Sequence, residues 1–190
     1  EGLKPDQVLQ EYPRPQMRRE SYVNLNGNWE LSVEGEEKPL SIRVPFCPES
    51  LLSGISQHFP EGEALFYRKI FTLPQNFCKD RVLLHFGAVD QIAEVFVNGR
   101  PIVRHEGGYW PFYGDVTKAL LPGENHLTVC VMDGLDHDYP YGKQKKKRGG
   151  MWYTPVTGIW QTVWLEAVPE KAITGLRITP DLNGIDLHVD

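Results

Sequence analysis

The chain has 190 residues, a formal net charge of −5 and 41% hydrophobic residues, which is ordinary for a globular protein. No apolar run approaches the roughly 18 residues that a membrane-spanning helix needs, and the negative charge argues against a general nucleic-acid binder. Its three cysteines show no CxxC spacing, so neither a disulfide framework nor a zinc site is predicted. The chain starts at Glu1 without an apolar leader, so secreted, periplasmic and cytoplasmic locations all stay open.

Short strands dominate the predicted secondary structure. Residues 1–22 are interrupted by prolines and predict an extended arm. Trp29, Leu31 and Val33 then alternate with polar residues, which indicates a strand with one buried face. Further strands are predicted at residues 41–44, 64–73, 81–86, 91–97, 101–105, 125–132 and 158–168. Their spacing of about ten residues, without a long helical period, predicts an antiparallel β-sandwich.

Turn signals support this assignment and suggest a boundary near the end of the chain. Asn98-Gly99 between two predicted strands is typical of a tight β-hairpin, because both residues tolerate positive φ. Two more alternating segments surround Asn183-Gly184, and two strands alone are only marginally stable in water. We therefore expect residues 1–168 to form one domain, and residues 169–190 to be either the start of a second domain that the sequence truncates or an appendage that lies on the first.

Two aromatic loops are the candidate binding segments. Trp152 and Tyr153 follow Gly149-Gly150, and Tyr109 and Trp110 follow a second pair of glycines. Aromatic rings in such loops can stack on the C–H faces of sugars, and binding residues concentrate in loops. Packing in the core is the alternative for these residues. For Trp160 and Trp164, the strand alternation of residues 158–168 favours packing on a sheet face.

Two charged loops offer further interpretations. Asp133, Asp136, His137 and Asp138 crowd one loop, as in a calcium or magnesium site, or as in a solvated loop whose carboxylates cap turns. The spacing does not match an EF-hand, so we assign no metal ion. The basic run, defined as Lys143, Lys145, Lys146, Lys147 and Arg148, would suit nucleic acid or an acidic sugar, or would be a solvated mobile loop.

Motifs of several hydrolases and nucleotide-binding proteins are missing from the sequence. There is no GxSxG, no HExxH, no P-loop and no Rossmann glycine fingerprint. Glycoside cleavage usually needs two opposed carboxylates roughly 5–10 Å apart, and no such pair is marked out among the acidic residues. We therefore expect this stretch to be inactive alone and to need no cofactor.

An ordered set of short motifs resembles the N-terminal sugar-binding domain of glycoside hydrolase family 2, the β-galactosidase, β-glucuronidase and β-mannosidase group. The motifs, in chain order, are Tyr12-Pro13-Arg14-Pro15-Gln16, Asn24-Leu25-Asn26-Gly27-Asn28-Trp29, Tyr67-Arg68-Lys69-Ile70-Phe71, Leu84-His85-Phe86-Gly87-Ala88-Val89-Asp90, Ala93-Glu94-Val95-Phe96-Val97-Asn98-Gly99, His105-Glu106-Gly107-Gly108-Tyr109, Asp115-Val116-Thr117 and Gly158-Ile159-Trp160-Gln161. Each motif is unspecific by itself, but their order covers nearly the whole chain.

The resemblance implies a galactose-binding-like jelly-roll β-sandwich, followed by the first strands of an immunoglobulin-like domain and, further on, a catalytic barrel. The family's acid/base glutamate follows an asparagine in that barrel, and no Asn-Glu dipeptide occurs here. Some relatives carry an acidic residue just before the aromatic residue of the last loop. This chain has Gly150 in that neighbourhood, so the resemblance implies no polar sugar contact there.

Three functional hypotheses follow. The first is a non-catalytic domain of a retaining β-glycosidase, most simply one acting on β-galactosides or β-glucuronides, with a carbohydrate and the remaining domains of the polypeptide as partners. The second is an autonomous carbohydrate-binding module that uses Trp152, Tyr153, Tyr109 and Trp110. The third is nucleic-acid binding through residues 143–148, which the acidic net charge disfavours.

Overall fold

The computed structural model describes residues 4, 7–36, 38–135, 138–147 and 149–190. Antiparallel strands dominate it, as the sequence predicts, and the fold is the expected jelly-roll β-sandwich. Within the described residues, no helix is long and apolar enough to cross a membrane. The strands are β1 (Tyr22–Asn24), β2 (Gly27–Val33), β3 (Leu40–Val44), β4 (Leu65–Thr72), β5 (Arg81–Phe86), β6 (Val89–Asp90), β7 (Ile92–Val97), β8 (Arg100–Glu106), β9 (Phe112–Asp115), β10 (Glu124–Met132), β11 (Gly158–Ile159), β12 (Val163–Val168), β13 (Leu176–Pro180) and β14 (Ile185–Val189).

Two sheets form the sandwich. The six-stranded sheet has the order β3-β2-β4-β10-β7-β8, and the four-stranded sheet has the order β1-β12-β5-β9. A short pair, β6 with β11, lies apart from both sheets in the hydrogen-bonding pattern. The buried apolar cluster is drawn from both sheets and includes Trp29, Leu31, Tyr67, Leu84, Phe86, Val95, Val129 and Leu165.

Several local predictions are confirmed. In β2, Trp29, Leu31 and Val33 are buried, whereas the residues between them are more exposed. Asn98 and Gly99 connect β7 to β8 with φ angles of 51° and 74°, as a tight hairpin requires. The Asn98 amide also donates to Ala119 O at 2.8 Å, and its carbonyl oxygen accepts from His126 N, so this turn is tied to the loop before β10 and to β10 itself.

The predicted strand at residues 158–168 is divided in two, which corrects the expectation for Trp160. Ile159 in β11 pairs with Val89 of β6, and β12 begins only at Val163. Trp160 lies between these two strands, so it does not occupy a strand position on a sheet face. Its indole N–H donates to Gly108 O at 2.8 Å. Trp164 does pack as predicted, since only 2% of it is exposed.

The N-terminal arm covers the outer face of the four-stranded sheet. One carboxylate, Glu166 of β12, organises that contact and has no solvent exposure. It accepts two hydrogen bonds from Arg14 at 2.7 Å, one from Arg19 at 2.9 Å, one from the Trp164 indole at 2.9 Å and one from the Tyr12 hydroxyl. These contacts attach the arm firmly to the sheet, and the arm contains a 3-10 turn at Pro15–Met17.

The last two strands form a hairpin of their own. β13 pairs only with β14 among the described strands, and both are largely exposed. Ile178 lies opposite Leu187, and Leu176 lies opposite Val189, so one face of the hairpin is apolar. Asp181 accepts backbone hydrogen bonds from the turn residues Asn183 and Gly184.

Candidate functional site

Several loops converge at the end of the sandwich where β6 and β11 pair. Gly107 N donates to Gln91 O at 2.9 Å, which holds the aromatic loop that contains Tyr109 and Trp110 against the end of β6. Gly62 N donates to Asp133 O at 2.9 Å, which joins the loop before β4 to the loop after β10. We call this convergence of residues 55–63, 107–111, 133–135, 138–147 and 149–157 the loop end.

A buried glutamine holds the longest of these loops in place. Gln144 Nε2 donates to Tyr141 O at 2.8 Å, and Gln144 Oε1 accepts from Val156 N at 2.6 Å. Beside it, Tyr153 N donates to Lys143 O at 2.8 Å, and Lys145 N donates to Tyr153 O at 3.1 Å. The two arms of the loop are thus joined by backbone hydrogen bonds at Lys143 and Lys145.

Beneath this loop lies a buried acid with few partners. Only 3% of Asp90 is exposed, and its Oδ1 has no hydrogen-bond partner, while its Oδ2 accepts a long hydrogen bond of 3.4 Å from Gln144 Nε2. Burial, and then the negative charges of Asp133 and Glu49, raise the pKa of Asp90 to about 7. A Cβ atom on Gly108 would lie 2.1 Å from Asp90 Oδ1, so only glycine fits against this carboxyl group.

The four predicted aromatic residues all lie in loops at the loop end. Trp152 and Tyr153 are 38% and 67% exposed, and Tyr109 and Trp110 are 45% and 70% exposed. The Tyr109 and Trp160 rings pack edge-on with their centroids 6.1 Å apart, and the Tyr109 hydroxyl lies close to Gly142. None of the ring contacts in the described part of the chain joins one pair to the other.

Two adjoining grooves open beside these rings. The first, the acidic groove, has a volume of about 390 Å³ and is lined by Glu49, His58, Phe59, Pro60, Glu61, Glu63, Leu65, Asp133, Leu135, Lys146, Pro155 and Thr157. The second, the basic groove, has a volume of about 600 Å³ and is lined by Glu61, Leu135, Tyr141, Gln144, Lys145, Lys146, Lys147 and Trp152. Glu61, Leu135 and Lys146 line both grooves, so the two grooves adjoin.

Hydrogen bonds fix the carboxylates of the acidic groove. Glu49 accepts from Thr157 N at 3.2 Å, and Asp133 accepts from Thr157 Oγ1 at 3.1 Å. Burial raises the pKa of Glu49, with these hydrogen bonds opposing it. Glu61 forms a 2.6 Å ion pair with Lys146 at the junction of the two grooves. The arrangement offers fixed acceptors and donors beside apolar surface, which suits a ligand with several hydroxyl groups.

The described residues of the acidic loop, 133–135 and 138, show no metal-binding geometry. Asp133 Oδ1 accepts from Gly134 N at 2.7 Å, so this carboxylate caps the turn after β10. Asp138 is exposed, and Asp136 and His137 lie outside the described residues, as does Arg148 of the basic run. In the part of the chain that is described, no three His, Cys, Asp or Glu side chains could together hold a metal ion.

Four polar residues beneath and beside the aromatic loops are not among the site residues that the sequence predicts, namely Gln144, Asp90, Glu49 and Glu61. Gln144 stands among lysines in the basic run, and Asp90 is a lone acid in an apolar stretch between two strands. An acidic residue among apolar neighbours was a usable signal of a buried carboxyl group at Asp90. Glu49 and Glu61 carried no signal, because loops of mixed composition do not reveal which side chains meet across a groove.

The comparisons with known proteins agree with the architecture. Residues 4–169 match the family model for the glycosyl hydrolases family 2 sugar binding domain. A β-glucuronidase from Paenibacillus borealis is 29% identical over 138 residues, which are 66% of this chain and 23% of that protein. A β-galactosidase from Thermoanaerobacter pseudethanolicus is 32% identical over 118 residues, which are 60% of this chain and 15% of that protein.

Solved structures show the same fold. A β-glucuronidase from Ruminococcus gnavus in complex with D-glucuronic acid superposes with a TM-score of 0.72 at 21% identity, over 95% of this chain and 36% of that chain. The chain thus spans less than a quarter of the length of either curated relative described above. Since the family match covers most of its residues, this chain belongs to glycoside hydrolase family 2 and corresponds to the sugar-binding domain of that family.

Proposed function

We propose that this chain is the non-catalytic sugar-binding domain of a larger retaining enzyme that hydrolyses terminal β-glycosidic bonds, with β-glucuronides or β-galactosides as substrates. Curated relatives named β-glucuronidase and β-galactosidase, of which this chain matches only a small part, support this proposal. Carbohydrate and the other domains of the same polypeptide would be its partners. No Asn-Glu dipeptide is present, which agrees with catalytic glutamates that lie elsewhere.

We further propose that this domain supports the catalytic barrel and shapes the rim of the active site, and one observation carries that role. Four aromatic side chains that are 38–70% exposed lie at a single loop end, beside grooves with fixed carboxylates. Exposed rings on anchored loops provide flat apolar faces for sugar C–H groups, and the neighbouring polar side chains provide partners for hydroxyls. We propose Trp152, Tyr153, Tyr109 and Trp110 as the sugar-proximal residues.

Residues 169–190 are proposed to begin a second, immunoglobulin-like β-sandwich domain. The apolar face of the β13–β14 hairpin supports this, because Ile178, Ile185 and Leu187 are each at least half exposed. Such a face needs further strands to cover it, and a lone hairpin is only marginally stable in water.

The test of the enzymatic proposal uses two proteins. The 190-residue chain should hydrolyse neither a nitrophenyl β-glucuronide nor a nitrophenyl β-galactoside, whereas the chain extended by its native downstream sequence should hydrolyse at least one. Turnover by the purified 190-residue chain would contradict a non-catalytic role. An extended chain that lacks both activities would instead favour the alternative, an autonomous carbohydrate-binding module.

A further inference from the structure

We infer that the basic groove is a subsite for a negatively charged pyranoside, either a uronic acid or an O-sulfated sugar. Trp152 would contact the sugar ring, and Lys145 and Lys147 would contact its anionic group. This inference rests on the proposed carbohydrate-binding function and specifies the ligand class for one part of the loop end. All the proposed contacts come from the loop that carries Lys145, Lys147 and Trp152, and none comes from a catalytic domain.

The geometry around Trp152 supports a combined aromatic and cationic contact. The Lys145 ammonium lies 4.9 Å from the centre of the Trp152 ring, within the range of a cation–π interaction. The ring is 38% exposed and lines the groove together with both lysines. A sugar that contacts this ring therefore lies within reach of a fixed positive charge.

The charges of the three consecutive lysines are not equivalent. Lys146 is neutralised by Glu61 at 2.6 Å and marks the border with the acidic groove. Neither Lys145 nor Lys147 has a carboxylate within ion-pair distance among the residues that the structure describes. Two uncompensated positive charges thus line one groove of a chain with a net charge of −5. Such a local excess attracts an anionic ligand group.

Backbone hydrogen bonds join the segment that carries Lys145 to the opposite arm of the loop. Lys145 N and Lys143 O are hydrogen-bonded to Tyr153, and the intervening Gln144 is buried with bonds to Tyr141 and Val156. Gly150, with a φ of 58°, lets the chain turn so that Trp152 N donates to Gly149 O at 3.2 Å. An anchored loop loses less conformational entropy on binding than a free lysine-rich segment, which favours a defined subsite.

The shape and size of the groove favour a sugar over a nucleic acid. Its volume of about 600 Å³ lies within the range of small-ligand pockets, which is about 300–1,000 Å³. A nucleic-acid surface requires positive charge that follows a backbone over several phosphates, whereas the adjoining groove here is lined by Glu49, Glu61, Glu63 and Asp133. A strand that left the basic groove on that side would meet carboxylates.

Calorimetric titration of the 190-residue chain at low salt tests the inference. The probes are tetragalacturonate, a disulfated neocarratetraose, the neutral cellotetraose and an octathymidylate. We expect at least one anionic tetrasaccharide to bind about 10-fold more tightly than cellotetraose, with an advantage that shrinks as salt is added. The first two probes distinguish a carboxylate from a sulfate as the recognised group.

Substitutions connect the effect to the groove. Lys145→Met with Lys147→Met should remove the preference for the anionic sugar, while Trp152→Ala should weaken all sugars. The matched control, Lys79→Met with Lys171→Met, makes the same charge change at two exposed lysines outside the groove and should keep the preference. All variants should melt like the parent chain, because the altered side chains are exposed.

The outcomes separate this inference from the proposal on which it rests. Equal affinity for charged and neutral sugars, or a preference that survives the loss of Lys145 and Lys147, overturns the inference and leaves sugar binding intact. No heat with any sugar at millimolar concentration contradicts both the inference and sugar binding by this chain. Tighter binding of octathymidylate than of any sugar would show that the basic run binds nucleic acid.

Discussion

Two buried carboxyl groups in this domain have opposite surroundings. Glu166, on the outer face of the four-stranded sheet, accepts hydrogen bonds from two arginines, a tyrosine and a tryptophan. Asp90, beneath the loop end, has one oxygen without a partner and a single long hydrogen bond from Gln144. Both are almost fully removed from solvent. Glu166 and Asp90 are therefore similarly buried and differ in the number of hydrogen-bond donors around them.

The donor count decides the preferred ionisation state. Burial alone would raise the pKa of Glu166, but the nearby His85, with its Nε2 3.5 Å from the carboxylate, and hydrogen bonds from Tyr12, Arg14 and Trp164 outweigh it and hold this pKa well below its ordinary value. For Asp90, burial and the nearby charge of Asp133 prevail and raise the pKa to about 7. The ionised Glu166 thus stabilises the fold on the sheet face, whereas an ionised Asp90 beneath the candidate binding loops is unfavourable.

Replacing Glu166 should cause the largest change. Glu166→Gln removes the negative charge and leaves Arg14 and Arg19 partly buried without a counterion, which should lower the free energy of unfolding by about 3–5 kcal/mol. Urea unfolding at pH 7 measures this loss. The same substitution at the exposed Glu124 should change stability by less than about 0.5 kcal/mol. Equal effects at the two positions would contradict the stabilising role of the buried cluster.

The pH dependence of this cluster has a definite sign. Because the folded state lowers the pKa of Glu166, its contribution to stability is fully present above the ordinary glutamate pKa of 4.5. Stability is then lost as the pH falls below that value and the carboxylate becomes protonated. In Glu166→Gln this acid-induced loss should be smaller than in the parent chain.

Replacing Asp90 should act in the opposite direction. The folded state raises the pKa of Asp90 from 3.8 to about 7, so stability falls as the pH rises between these values and then levels off. Asp90→Asn should therefore stabilise the chain by about 2 kcal/mol at pH 8 and by little at pH 4. Urea unfolding at both pH values measures the difference. Asp186→Asn on the exposed β14 is the control, and a destabilised Asp90→Asn at pH 8 would argue against an unfavourable buried charge.

Replacing Gln144 should have a smaller effect on stability and a local effect on the loop. Gln144→Leu leaves Val156 N without its acceptor and removes the hydrogen-bond donor of Asp90, which should cost about 1–2 kcal/mol. Hydrogen exchange should become faster at Val156, and the pKa of Asp90 should rise further. Gln75→Leu, at an exposed position, should change neither property. Unchanged exchange at Val156 would show that Gln144 does not hold the loop.

Local patterns predicted the sandwich well but could not predict contacts between distant segments. Alternation identified β2, and Asn98-Gly99 identified the β7–β8 turn, because both signals depend on neighbouring residues. Glu166 is different, since its partners Arg14 and Arg19 are about 150 residues away and no periodicity shows that an arm covers that face. A charged residue in a strand would ordinarily be assigned to a solvated face.

The candidate site was predictable only in part, for the same reason. Glycine-flanked aromatic residues indicated exposed rings, and Trp152, Tyr153, Tyr109 and Trp110 do lie at one end of the fold. The grooves between the loops depend on hydrogen bonds across the fold, such as those that Thr157 donates to Glu49 and Asp133. Those contacts depend on how the loops pack together, which single-sequence patterns do not encode.

The central contrast can be measured directly by carbon-detected nuclear magnetic resonance of the carboxyl groups between pH 3 and pH 9. We expect the Asp90 carboxyl carbon to titrate near pH 7 and Glu166 to stay ionised throughout this range. The Asp90→Asn and Glu166→Gln variants assign the two signals. An Asp90 carboxyl group that is already ionised at pH 5, or a Glu166 that titrates near its ordinary value, would contradict this contrast between the two carboxyl groups.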